Sequence, residues 1–537
     1  MPNRTRRGLA LAVPVAAAAA LLLTAGCSSG SSGSQGASGS SPASAPASVA
    51  ASGTPVAGGK ITVGGLATQA LDPGQATFSS QSRPWVLPVF SSLFSPPAKA
   101  GDDYGPGLAT GYKYSADHKT LTITLRPGLK FSDGTPLDAA AVVWNFNRYV
   151  TNHTREAQFF AYVTSTKATN PTTVTVTFSQ PQTLLLDAMS DSSTGFMASP
   201  TAFQKMGANK FDAAPVGAGP FKIASADPGQ QLVMVKNDLY WDAAHVYLAG
   251  LTWQNTGPDA QAWLTDLQAG SIQSVPMFGA FTAPAVLSAF KNNTSFTMIQ
   301  GQSTNVSILP VNTFKAPFNN LEARQAINYC MDRQSLATNV MQGFATPAYV
   351  LSGPNSQALT GWQQGQTLNP LAYNVAKGTQ LVKALGGLSF TISTNESSPV
   401  LTALQQQWAQ CGIKASINLT DNYLSLVQDG NYQAAYTANV NASLNPAGST
   451  NYLDPNAINN KFGWKDNAIW SLVLQAKGTT DVTQSTALWH KIWTGLAQNG
   501  FVNPLISSPE YVASTNKLQG AVVESGVPDY THAWLSS

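Results

Sequence analysis

From about residue 58 onward, two spacings of apolar positions take turns along the chain. Residues 60–64 (KITVG) and 121–125 (LTITL) alternate apolar and polar side chains, as half-buried strands do, and 174–178 and 413–419 repeat the pattern. Helical spacing falls between them. It predicts helices over 139–149 behind a candidate N-cap at Asp138, over 259–269 ending at Gly270, and over 320–330. Further helices are predicted over 333–341, ending before Gly343, and over 400–410, stopping at Gly412. Turn chemistry separates these elements: Leu71-Asp72-Pro73-Gly74, Arg126-Pro127-Gly128, and 131–136 (FSDGTP). No fixed-period repeat appears, and the interleaving predicts an α/β or α+β body.

The first residues follow a different pattern. Arg4, Arg6 and Arg7 precede an apolar run over 9–23, and Thr24-Ala25-Gly26-Cys27 follows it. A basic start, a short apolar stretch and small residues before a cut site define a secretory signal. The run is shorter than the roughly 20 residues a spanning helix needs. The last four residues resemble the bacterial lipobox, which implies that residues 1–26 are removed and that Cys27 is lipidated. Arg6-Arg7 also loosely resembles a twin-arginine signal, so the export route stays open between the general and twin-arginine systems. Residues 27–57 are nearly all Ser, Gly, Ala and Pro, a composition that cannot bury enough apolar area to fold. As a flexible tether they reach roughly 30 Å.

Composition narrows the function. The chain has 537 residues, enough for two or three domains, yet only 10% are charged, well below the roughly 25% of an average soluble protein. The formal charge of +3 comes from the signal: without its three arginines, 26 basic residues face 26 acidic ones. A neutral body offers no electrostatic footprint for DNA or RNA. The five histidines (His118, His153, His245, His490 and His532) show no metal-ligand spacing, so no metal or cofactor is expected. Outside the tether there is no nucleophile elbow, and no phosphate-binding loop appears. An enzyme is not expected, and any ATPase must be a separate protein.

Specific motifs then follow in order. Residues 58–64 (GGKITVG) and Leu71-Asp72-Pro73-Gly74 come first, then 106–148 (PGLATGYKYSADHKTLTITLRPGLKFSDGTPLDAAAVVWNFNR). Next are 215–221 (PVGAGPF), 236–241 (KNDLYW), Arg324-Gln325-Ala326-Ile327 with Met331-Asp332-Arg333, and 405–413. This series resembles the peptide/nickel-type (family 5) extracellular solute-binding proteins of ABC importers. Tyr112 or Tyr114 stands for the family's tryptophan, and Ala141 for its helix acid. The resemblance implies a two-lobed periplasmic-binding-protein type II (cluster C) clamp with an extra inserted domain in lobe I. Lobe I would comprise 58–90, 212–303 and 503–537, the inserted subdomain 91–211, and lobe II 304–502. The hinge crossovers would fall at 300–305 and 501–504. Most motif residues read as structural: turn glycines at Gly134, Gly217 and Gly219, and charges at Arg126, Lys130, Arg324, Asp332 and Arg333 pairing with local acids or fixing helix ends.

The implied role is capture of a small ligand on the extracytoplasmic face of the cell membrane, held there by the lipid anchor. A monomer would deliver it to ABC importer permease subunits. A ligand-sensing or chaperone-like lipoprotein on the same fold stays open. In peptide-binding relatives an acidic segment of lobe II meets the peptide ammonium, but the comparable stretch here, 435–446 (AYTANVNASLNP), carries Asn and Ala. A buried ammonium left unpaired is costly. Alongside the oligopeptide class this favours a neutral, hydrogen-bonding ligand such as an oligosaccharide or a blocked peptide. The cleft-facing candidates are Phe78, Trp85, Tyr436, Asn439 and Asn441, against a reading in which the aromatics are core. Cys330 and Cys411 each close a predicted helix, and in an oxidising compartment they are a candidate disulfide, against two buried apolar thiols.

Overall fold

The computed structural model describes residues 47–48, 53–66, 68, 70–75, 78, 82–97, 103–278, 282–301, 305–351, 369–441, 453, 464–479, 481–524 and 527–536. Cys27 and the signal preceding it lie outside the described residues. Within the expected tether, Ala47–Ser48 forms a short strand paired with Val523 and Val522. Main-chain hydrogen bonding to a strand edge needs no apolar side chains, so a Ser/Ala pair suffices there.

A seven-stranded sheet organises one part of the chain, in the order Phe296–Gln300, Glu510–Thr515, Ser274–Phe278, Lys60–Gly65, Gly250–Asn255, Gln231–Lys236, Phe221–Asp227. Lys60–Gly65 lies near its middle, parallel to both neighbours, with Ile61 and Val63 buried. Helix Ala260–Ala269 starts one residue later than its spacing predicts, because Asp259 serves as its cap and accepts from the Gln261 N–H at 2.9 Å; it ends at Gly270, as predicted, in the left-handed conformation.

A second part is built on a four-stranded sheet, in the order Thr346–Pro347, Val502–Ser508, Asn305–Pro310, Thr437–Asn441. Every position of Asn305–Pro310 is buried, as an inner strand requires. Beside it, Leu388–Thr394 and Ile413–Leu419 run parallel, joined by helix Pro399–Gln410. Parallel strands need such a crossover. Cys330, at the end of helix Leu321–Tyr329, is disulfide-bonded to Cys411, at the end of helix Pro399–Gln410. The expected helix over 333–341 differs in form. It begins as Arg333–Ser335 under an Asp332 cap and continues as a π-turn over Leu336–Val340. There the Thr338 hydroxyl donates to the Gln334 carbonyl at 2.9 Å, competing for a helical acceptor.

The third part is an antiparallel sheet, Ala109–Tyr114, Thr120–Leu125, Thr173–Phe178, Val163–Asn170. Helix Ala139–Thr151 packs on it, and Asp138 accepts from the Ala141 N–H at 3.0 Å. This helix is tied to the Leu71-Asp72-Pro73-Gly74 turn. Arg148 forms a buried ion pair with Asp72, and Asp212 accepts the Leu71 and Asp72 N–H groups at 3.0 and 2.8 Å. Burial pushes the Asp72 carboxyl above its usual range, while the Arg148 charge and the Gly74 N–H pull against it.

Two motif readings are corrected. Arg126 pairs with no acid among the described residues. Its Nε–H donates to the Gly107 carbonyl at 2.7 Å, and its guanidinium stacks on Trp241 at 3.8 Å, joining two motifs distant in sequence. Gly217 and Gly219 do not adopt positive φ; they lie against the backbone of Pro88 and Val89, where a Cβ would collide.

Candidate functional site

The chain changes sheet twice near one place. The first passage lies between Gln300, last in the seven-stranded sheet, and Asn305, first in the four-stranded one. The second lies between Ser508 and Glu510, because Val502–Ser508 still pairs with Asn305–Pro310. It is therefore some residues later than the expected 501–504, since strand register and not the helix end at Asn499 decides where the chain leaves the sheet.

Hydrogen bonds join the two passages. The Asn305 side-chain amide donates to the Glu510 carboxylate, both residues being buried. The Gly301 N–H donates to the Glu510 carbonyl at 2.7 Å, and the Ser507 hydroxyl to the Asn305 carbonyl at 3.0 Å. The buried Ser508 hydroxyl has no partner among the described residues. The passages thus form one cross-linked unit with a spare polar group. Sequence reading did not single out Asn305, Ser508 or Glu510; the available signal was a lone acid inside an otherwise uncharged run, 505–513 (LISSPEYVA).

The predicted ligand residues fall in two places. The strand Thr437–Asn441, which carries Asn439 and Asn441, is an edge of the four-stranded sheet, and Asn441 is in register with Asn305. Tyr436 precedes it, 1% exposed, with its hydroxyl 2.9 Å from that of Ser398. Burial raises its phenol well above the ordinary tyrosine value. Phe78 and Trp85 lie instead in the core of the seven-stranded sheet region. Trp85 is 3% exposed, stacks on Trp253 at 5.6 Å, and gives its indole N–H to the Leu66 carbonyl. The structure does not bring these two aromatics together with the asparagine strand. A cavity of about 160 Å³ lies elsewhere, lined by Arg83, Tyr240, Trp241, Asp529 and His532 among others. Among the described residues no cluster of acids, histidines and cysteines is arranged to hold a metal, and no helix is long and apolar enough to cross a membrane.

Residues 103–461 match the family model of bacterial extracellular solute-binding proteins, family 5 middle region. The chain belongs to this family. The glutathione-binding protein GsiB of Salmonella paratyphi A is 33% identical over 324 residues, which span 58% of this chain and 60% of that protein. Among solved structures, the ABC transporter substrate binding protein CtaP from Listeria monocytogenes superposes with a TM-score of 0.78 at 21% identity. The match covers 90% of this chain and 100% of that one. The periplasmic binding protein DppA from Helicobacter pylori, in complex with the peptide STSA, gives 0.75 at 20% identity over 90% and 99%. The fold is therefore the two-lobed type II periplasmic-binding-protein fold, and the family's members are binding proteins, not enzymes.

Proposed function

We propose that this protein is an extracytoplasmic solute-binding lipoprotein. It captures a small ligand of the oligopeptide or oligosaccharide class between its lobes and delivers it to ABC importer permeases. Cys27 carries the lipid, and the small-residue segment after it spaces a monomeric body from the membrane. Lobe I comprises 58–90, 212–303 and 509–537, with 91–211 inserted, and lobe II comprises 304–508. The observation that carries the reading is the pair of passages cross-linked by Asn305 and Glu510, next to the strand bearing Asn439 and Asn441. Rotation about two adjacent strand passages is the motion a clamp requires. Relatives named for glutathione and crystallised with the peptide STSA favour the peptide class. The Asn-rich stretch, which offers amides where an ammonium would need a carboxylate, favours ligands with a blocked or distant amine.

Native mass spectrometry of the purified protein, compared with its denatured mass, tests this reading. A discrete extra mass, together with a thermal shift from one class in a panel of tetrapeptides, glutathione and oligosaccharides, is expected. No added mass and no shift across the panel overturns solute capture.

A further inference from the structure

Arg333 is a buried cation whose charge no carboxylate answers. It is 5% exposed, and no ion pair to it occurs among the described residues. Its Nε–H donates to the Pro504 carbonyl at 2.6 Å and its Nη2 to Asn328 Oδ1 at 2.8 Å, both neutral acceptors. Its Nη1 has no acceptor among the described residues, and neither has the indole N–H of Trp493, which is 2% exposed. Both side chains line one cavity of about 20 Å³. Of the other amides there, Asn369 accepts the Leu371 N–H at 3.2 Å through its Oδ1, and Asn328 and Asn503 are committed. Asn328 Nδ2 gives to the Arg324 carbonyl and Asn503 Oδ1 at 3.0 and 2.6 Å, and Asn503 Nδ2 gives to the Leu309 carbonyl at 2.8 Å. Two buried N–H donors stay unpartnered, the positive charge faces the neutral Tyr349 ring with its centroid 5.7 Å away, and the lining has no Asp or Glu.

We propose that this cavity is a binding site for one small monovalent anion of the chloride class, held by Arg333 Nη1 and Trp493 Nε1. Buried donors require acceptors, and a buried charge requires a counter-charge; an anion supplies both, whereas water supplies only the first. The volume admits about one water-sized species and excludes sulfate, phosphate and organic acids. Burial lowers the Arg333 pKa to about 10, which still leaves it charged at neutral pH. The site lies between helix Val482–Asn499, the Arg333–Ser335 turn and strand Val502–Ser508, so an occupant would stiffen the strand that leads to the second passage.

The test replaces sodium gluconate by sodium chloride at fixed ionic strength and pH 7 and follows the thermal midpoint of the protein. A rise of about 1–3 °C per tenfold chloride is expected once binding begins. Trp493→Phe keeps an aromatic ring but loses the pyrrole half of the indole with its donor, so, measured against its own midpoint in gluconate, it should need about tenfold more chloride for the same rise. Crystals grown in bromide should show an anomalous peak beside Arg333 Nη1. Equal midpoints in both salts, an unchanged chloride response in Trp493→Phe, or no bromide peak overturns the site and assigns the donors to water. Arg333→Met is the direct variant; Trp493→Phe and the bromide crystals decide the question should it fail to fold.

Discussion

The amide of Asn305 and the carboxylate of Glu510 are hydrogen-bonded across the two passages by which the chain moves between its main sheets. One residue opens the four-stranded sheet and the other opens the last long strand of the seven-stranded sheet. Their bond therefore couples the passages. Asn305→Ala removes a charge-assisted donor and should cost about 1.5–3 kcal/mol in chemical denaturation. Glu510→Gln retains a carbonyl acceptor and should cost less. The double variant Asn305→Ala/Glu510→Ala should lose less than the two alanine single variants combined. Strict additivity would show that the two passages are independent.

Asp72 and Arg148 tie the Leu71-Asp72-Pro73-Gly74 turn to the helix of the antiparallel sheet region. Removing one partner of a buried pair strands the other, at about 3–5 kcal/mol. Arg148→Met should therefore destabilise strongly, and Asp72→Asn should do so through the guanidinium it leaves behind. Asp72→Asn/Arg148→Met should be more stable than the worse single variant. Urea midpoints of the three proteins check this, and a double variant less stable than either single one would exclude a dominant charge penalty.

Much of the framework was legible in the sequence, because strands such as 60–64 and 121–125 alternate and the helix ends carry their own signals. Asp138, Gly270 and Asp332 act at the ends they predict. The misses share a cause: tertiary contact overrides local chemistry. Gly217 and Gly219 look like turn glycines but serve close backbone approach. Arg126 looks like half of an ion pair but stacks on Trp241, 115 positions away. Trp85 looks like a ligand platform, yet Trp253, far along the chain, takes its face. The passage at Ser508–Glu510 depends on strand register, which the small, polar run 503–509 (NPLISSP) does not encode by alternation.

The Cys330–Cys411 bond closes a loop with a sequence separation of 81. A loop of that size should contribute about 4 kcal/mol by restricting the unfolded chain. Iodoacetamide without reductant should add no mass at either cysteine in the denatured protein. The Cys330→Ser/Cys411→Ser variant should unfold at distinctly lower urea. Labelling of both thiols before reduction would show that the bond is absent in solution.

Several tyrosines should set an alkaline limit to the fold. Tyr149, Tyr436 and Tyr530 are 1%, 1% and 0% exposed, and burial raises each above the ordinary value of 10.0; Tyr240 is pushed up to about 12. A buried phenol keeps its proton where the unfolded chain has begun to release it. The unfolded state then binds fewer protons, so stability is full below about pH 10 and falls as pH rises beyond it. Phenolate absorbance followed together with circular dichroism measures this. The buried phenols should ionise only as the dichroism collapses, above the ordinary tyrosine range. A smooth ionisation of these phenols near pH 10 with unchanged dichroism would mean that they reach solvent. Tyr436→Phe should remove one proton from this late-ionising group, while exposing the Ser398 hydroxyl's dependence on its partner as a small loss of stability at neutral pH.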